Sequence, residues 1–185
     1  MMQYGYEHAA HADFEKARRG AFLSGLFATM AGRPNDLLRY DEARRALGPV
    51  GESYRGLQVI PIERIVGTTD RLNDFDRGFR PRRSTVAGRW QRVALAHYED
   101  RPLPPVQLYQ VGDDFFVEDG HHRISVARLR GQEFIDAEVT EVRATAPGSA
   151  SASRKSHREW RIWRPAAGLR ATLAHPVPAA QECPA

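Results

Sequence analysis

The chain has 185 residues, enough for one domain with additions, and 42% of them are hydrophobic. No apolar run reaches the roughly 18 residues that a membrane-spanning helix needs, so the sequence predicts no membrane partner. A lone cysteine, Cys183, excludes a disulfide framework and a cysteine metal cluster, and fits a cytoplasmic location.

Charge is unevenly placed. Residues 1–143 hold 21 Lys/Arg against 21 Asp/Glu, so the formal net charge of +4 belongs to residues 144–185. There Arg154, Lys155, Arg158, Arg161, Arg164 and Arg170 face only Glu159 and Glu182. A high overall pI is therefore weak support for nucleic-acid binding by the rest of the chain.

From Asp13 to about Ala31, Phe14, Ala17, Ala21, Phe22, Leu26, Phe27 and Met30 recur at helical spacing, a stripe that predicts a core-facing helix. Arg18-Arg19 before an apolar run has the outline of a twin-arginine export signal. Glu7, Asp13 and Glu15 precede it and no A-x-A cleavage pattern follows, which favours an amphipathic helix. Gly32-Arg33-Pro34-Asn35 breaks the pattern, and a short helix over 36–47 is stopped by Gly48-Pro49.

Residues 56–66 (GLQVIPIERIV) form the first strand signal, turning at Gly67-Thr68-Thr69. An irregular segment follows, and 64–92 contains eight arginines, among them Arg71, Arg80, Arg82, Arg83 and Arg89. Such clusters are most often solvated faces. The functional alternative is that Arg71 and the Arg80/Arg82/Arg83 group close over phosphates or touch a nucleic-acid backbone. A helix is expected over 90–98.

Val106 to Val111 and Phe115 to Val117 are strand-like runs joined by Gly112-Asp113-Asp114, a hairpin signature. A helix from His121 to Arg130 follows, ended by Gly131, and residues 134–142 alternate as a half-buried strand. Residues from Ala144 onward lack sustained periodicity and predict a disordered tail, with Trp160 and Trp163 as its one docking feature.

The chemistry concentrates at Asp119-Gly120-His121-His122-Arg123, between a strand and a helix. A helix start exposes unpaired backbone N–H groups and the positive end of the macrodipole, which together attract phosphate. Gly120 lets a ligand approach the backbone, Arg123 offers a bidentate fork, and His121 and His122 can donate or change charge. Asp119 would repel phosphate unless it binds a hydroxyl, holds Mg²⁺ or accepts a proton. The same residues can also be read as a capped, solvated first turn. Adjacent histidines diverge and lack the i, i+4 spacing of paired ligands, so no metal site is expected.

The segment PPVQLYQVGDDFFVEDGHHRISVARLRGQEFIDAEV, preceded by IPIERIV, resembles the ParB N-terminal (ParB-like nuclease)/sulfiredoxin superfamily. Its box is most similar to the D-G-H-H-R of the free serine kinases in that superfamily. Of the G-E-R-R box typical of ParB proteins, only Gly120 and Arg123 match, and His121 stands where sulfiredoxins carry the cysteine of their thiol chemistry.

The resemblance implies an α+β fold: a small mixed sheet with flanking helices over 57–143, an N-terminal helical extension over 1–56, and the basic tail over 144–185. It implies nucleotide or phosphate contacts from Gly120, His121, His122, Arg123 and Arg71, with ATP, ADP or CTP, with or without Mg²⁺, as the ligand. The leading expectation is a regulatory or nucleic-acid-associated module, with DNA among its partners and a homodimer left open. One alternative is a small-molecule kinase with Asp119 as base and a hydroxyl-bearing substrate. Another is a degenerate scaffold that docks proteins through its N-terminal helices.

Overall fold

A computed structural model describes residues 2–145. The fold is α+β. Helices α1 (Met2–Met30), α2 (Tyr40–Leu47), α3 (Ala87–Tyr98) and α4 (His121–Leu129) flank six strands. These are β1 (Leu38–Arg39), β2 (Val50–Pro61), β3 (Ile65–Thr68), β4 (Val106–Val111), β5 (Asp114–Asp119) and β6 (Phe134–Ala144). They form one mixed sheet in the order β1-β3-β5-β4-β6-β2. The pairs β1–β3, β3–β5 and β4–β6 are parallel, and β4–β5 and β2–β6 are antiparallel.

Alternation along the central strands builds two cores, because successive side chains leave opposite faces. Val106, Leu108, Phe115, Val117, Ala137 and Val139 face a large core shared with α1, α3 and α4. Val111, Phe116 and Val142 face a smaller one closed by Tyr40, Ala43 and Leu47 of α2. Trp90 is fully buried at the centre of the large core, where its indole N–H donates to Ser125 Oγ at 2.8 Å and Phe14 packs edge-on.

Several elements differ from the sequence reading. Helix α1 begins well before Asp13, because Ala10 is buried and Tyr6 stacks on Tyr98 of α3, whose hydroxyl donates to Asp13 at 2.7 Å. Its apolar stripe does not all face the core: Phe14, Ala17 and Ala21 are buried, while Phe22, Leu26, Phe27 and Met30 stand in solvent. The helix expected over 36–47 starts only at Tyr40, since Leu38 and Arg39 pair with Gly67 and Thr68 as an edge strand.

The boundary placed after residue 56 falls inside β2, which pairs with β6 from Val50 to Pro61, and β1 also joins the sheet. The hairpin, the helix ended by Gly131 (φ 71°) and the last strand lie where periodicity put them. The tail reading and its two tryptophans fall almost wholly outside the described residues. No described helix is long and apolar enough to cross a membrane.

Candidate functional site

The site forms where two parallel strands end side by side. Thr68 of β3 sits in register with Val117 of β5, so the turn after β3 meets the start of α4. Strand ends of this kind are where open α/β sheets collect ligands. Gly120 makes the corner with φ 108°, and a Cβ there would lie 2.5 Å from Val106 Cγ1. Only glycine satisfies both the left-handed turn and the close packing.

No side chain caps α4 at Gly120. The first intrahelical acceptor is the Gly120 carbonyl, reached by Ile124 N–H at 3.0 Å. A helix start of this kind carries partial positive charge.

His121 is buried, with its Nε2 2.7 Å from Thr68 Oγ1. That hydroxyl also accepts the backbone N–H of Asp70 and of Arg71, both at 3.2 Å. A hydroxyl has two lone pairs and one proton, so the proton goes to Nε2 and the imidazole is neutral with its own proton on Nδ1. Burial, helped by the Arg71 charge, pushes the His121 pKa down to about 3. Asp70 Oδ1 lies 3.8 Å from the same Nε2, a distance that becomes an ion pair only if the ring is protonated. His121 therefore latches the turn after β3 to α4.

His122 is 7% exposed, and its Nε2 has no hydrogen-bond partner among the described residues. Phe75 packs edge-on against its ring, with centroids 5.4 Å apart. Burial first, then the charges of Arg89 and Arg71, lowers the His122 pKa to about 4. A buried polar atom without a partner is rare enough to call for a role.

Arg123 is committed within the fold. Its guanidinium donates to the carbonyls of Pro104 (2.5 Å) and Pro105 (2.7 Å) and pairs with Asp119. Asp119 is 55% exposed in its side chain, so this pair leaves one face of the carboxylate in solvent. A pocket of about 260 Å³ opens beside Arg123 and is lined also by His97, Arg101 and Asp136; neither histidine of the box nor Arg71 lines it.

Arg71 lies near both imidazoles, on which its charge acts, and pairs with Asp74 at 3.3 Å. Arg89, on the exposed side of α3, acts on His122 and makes no ion pair among the described residues. The sequence reading held Arg89 only as one of eight arginines and missed Thr68. A turn rich in threonine after a strand was the available signal, but the parallel pairing that brings it to the box was not legible.

Arg80 and Arg82 serve a different end. Arg82 donates to Asp36 (2.7 Å) and to the Asn35 carbonyl (2.5 Å), and Arg80 reaches the Gly20 carbonyl at 3.3 Å, so both staple the loop to the N-terminal segment. Among the described residues no group of three or more His, Cys, Asp or Glu could hold a metal ion.

These features define an α+β domain with a polar corner at parallel strand ends, latched by a neutral histidine and overlooked by two arginines. Comparison of the chain with protein-family models, curated proteins and solved structures found no match in any of the three.

Proposed function

We propose that the start of α4 binds the phosphate of a nucleotide, and that the protein acts as a ParB-like regulatory or nucleic-acid-associated module. The observation that carries this reading is that Arg71 and Arg89 both lie near enough to act on His122, the second residue of a helix that no side chain caps. Two guanidinium groups and a row of backbone N–H groups suit a phosphate. Arg123 supports the site from behind by holding Asp119 and the Pro104-Pro105 turn. The bound species would be ATP, ADP or CTP, with Mg²⁺ bridging to Asp70 or Asp119 where it is required.

A second reading is favoured by one observation: Asp119 stays exposed at the corner although its arginine partner is mostly buried. A hydroxyl-bearing substrate beside a bound nucleotide could then give its proton to Asp119, as in a small-molecule kinase.

The test is calorimetric titration of ADP, ATP, CTP and GTP, each with and without Mg²⁺, into the wild type and Arg71→Ala, Arg89→Ala and Arg123→Ala. Saturable binding, weakened about tenfold by loss of Arg71 or Arg89 through one charge-assisted contact, is expected. Absence of binding to all four nucleotides would overturn the site. Asp119→Asn then separates the two readings: lost turnover with retained affinity indicates the kinase, and no turnover in the wild type indicates the binding module.

A further inference from the structure

Beyond Ala21, the apolar face of α1 meets no core. Phe22 (73% exposed), Phe27 (66%) and Met30 (77%), with Leu23 and Leu26, make a contiguous apolar surface over about two turns. A patch of this kind on an isolated domain marks an interaction site. It also has a second wall. Gly25 sits 3.8 Å from Asn35 Nδ2, as judged from where its Cβ would stand, and Ser24 Oγ donates to Asn35 Oδ1 at 3.3 Å. The returning chain therefore runs along α1 and leaves a groove of about 1330 Å³ between them, with Phe22 and Leu26 on one side and Arg82 to Thr85 on the other.

The rim of this groove is positive. Arg18, Arg19, Arg33, Arg82 and Arg83 line it against only Glu15 and Asp36. Asp36 is taken by Arg82 and Glu15 faces Arg18, whereas Arg19, Arg33 and Arg83 make no ion pair among the described residues. We infer that the groove takes an amphipathic helix of a partner protein that carries acidic residues beside its apolar stripe. Anchors spaced i, i+3, i+4 and i+7 would lie on Phe22 and Leu26, and carboxylates would meet the three unpaired arginines.

Charge decides among occupants. A second copy pairing antiparallel through Leu26 would bring Arg18 and Arg19 of each copy against the Arg33 end of the other. The basic stretch from Arg154 to Arg170 of this chain has the wrong sign for the rim. A concave seat with two walls fits a cylinder about 10 Å across, as a helix is, and not a flat bilayer.

The experiment uses the full chain and fluorescence anisotropy with a labelled amphipathic peptide of about 20 residues, long enough to form a helix. Leucines form one face, and the flanks are all glutamate or, in a second peptide, all lysine. The glutamate peptide should bind saturably and the lysine peptide should not. Phe22→Ser with Leu26→Ser should weaken binding by about tenfold or more, as loss of central anchors does, without moving the unfolding midpoint, because both side chains are exposed. The triple variant Arg19→Glu, Arg33→Glu, Arg83→Glu should reverse the preference to the lysine peptide.

Equal binding of both peptides, or of neither, overturns the inference. So does binding to phosphatidylglycerol vesicles in place of the peptide, which would assign the face to a membrane. Sedimentation as a dimer that the Phe22→Ser, Leu26→Ser variant dissociates would assign it to a second copy.

Discussion

Between the β3–α3 loop and the last turn of α4, Asp76 and Arg128 bury their charges; near the start of α4, Arg71 and Arg89 keep theirs in reach of solvent. Asp76 is fully buried, and its Oδ1 accepts the N–H groups of Gly78 and Arg80, both at 2.8 Å. Desolvation raises its pKa, opposed by those bonds and by Arg80 at 3.6 Å from Oδ2. Arg128 donates to the Ile62 (2.9 Å) and Ile65 (2.6 Å) carbonyls and lies over the Phe79 ring. Burial lowers its pKa to about 10, which still leaves it charged at neutral pH, with the Asp76 carboxylate as its compensating charge. The corner differs: its histidines are stripped of charge by burial, while Arg71 is part-exposed and Arg89 exposed. Residue types that look alike in the sequence thus divide into a part that holds the fold and a part that leaves charge at the surface.

The comparison breaks most severely at Asp76. Asp76→Ala should cost about 3–5 kcal/mol in urea unfolding, because it leaves Arg128 uncompensated and two backbone donors unpaired. A loss below about 1 kcal/mol would mean that the loop is solvated and the contrast false. Next comes Gly120→Ala, for which the left-handed φ and the contact with Val106 predict a loss of about 2–4 kcal/mol. Circular dichroism melts of the two variants rank them directly.

Acid sharpens the contrast from the side of the corner. His121 and His122 have native pKa values of about 3 and about 4, below the ordinary 6.5. The unfolded chain therefore binds more protons between about pH 6.5 and 3, and stability is full above that window and falls as pH drops through it. His122→Leu should flatten the fall by on the order of 2 kcal/mol when unfolding midpoints at pH 7 and pH 4.5 are compared. An unchanged slope would show that the ring is already charged in the fold.

The smallest expected effects on stability separate support from recognition. Arg123→Ala should lower stability by about 1–3 kcal/mol through loss of its carbonyl and carboxylate partners. Arg71→Ala and Arg89→Ala, on a part-exposed and an exposed side chain, should stay within about 0.5 kcal/mol of wild type while weakening nucleotide binding. If Arg123→Ala instead spared stability and lost binding, its side chain would belong with the ligand.

Much of this was readable in advance. The hairpin from Val106 to Asp119, the helix ended by Gly131 and the strand over 134–142 follow from period and turn chemistry, because their signals are local. So was the corner itself: a glycine between an acid and two histidines at a strand–helix junction is dense enough to single out without a structure. Helix α1 was legible as a helix, but its burial was not, since periodicity says which residues share a face and not what that face meets.

The sequence by itself determined the α+β class and the strand–glycine–helix corner. Tertiary structure alone decided which groups keep their charge. Parallel pairing of β3 with β5 set Thr68 against His121, the turn of the 70–83 segment buried Asp76 near Arg128, and the return of the chain along α1 left Phe22 and Leu26 outside the core. Each of these outcomes joins residues far apart in the chain, and desolvation, which fixes protonation and hydrogen-bond demand, depends on what surrounds a side chain and not on what precedes it.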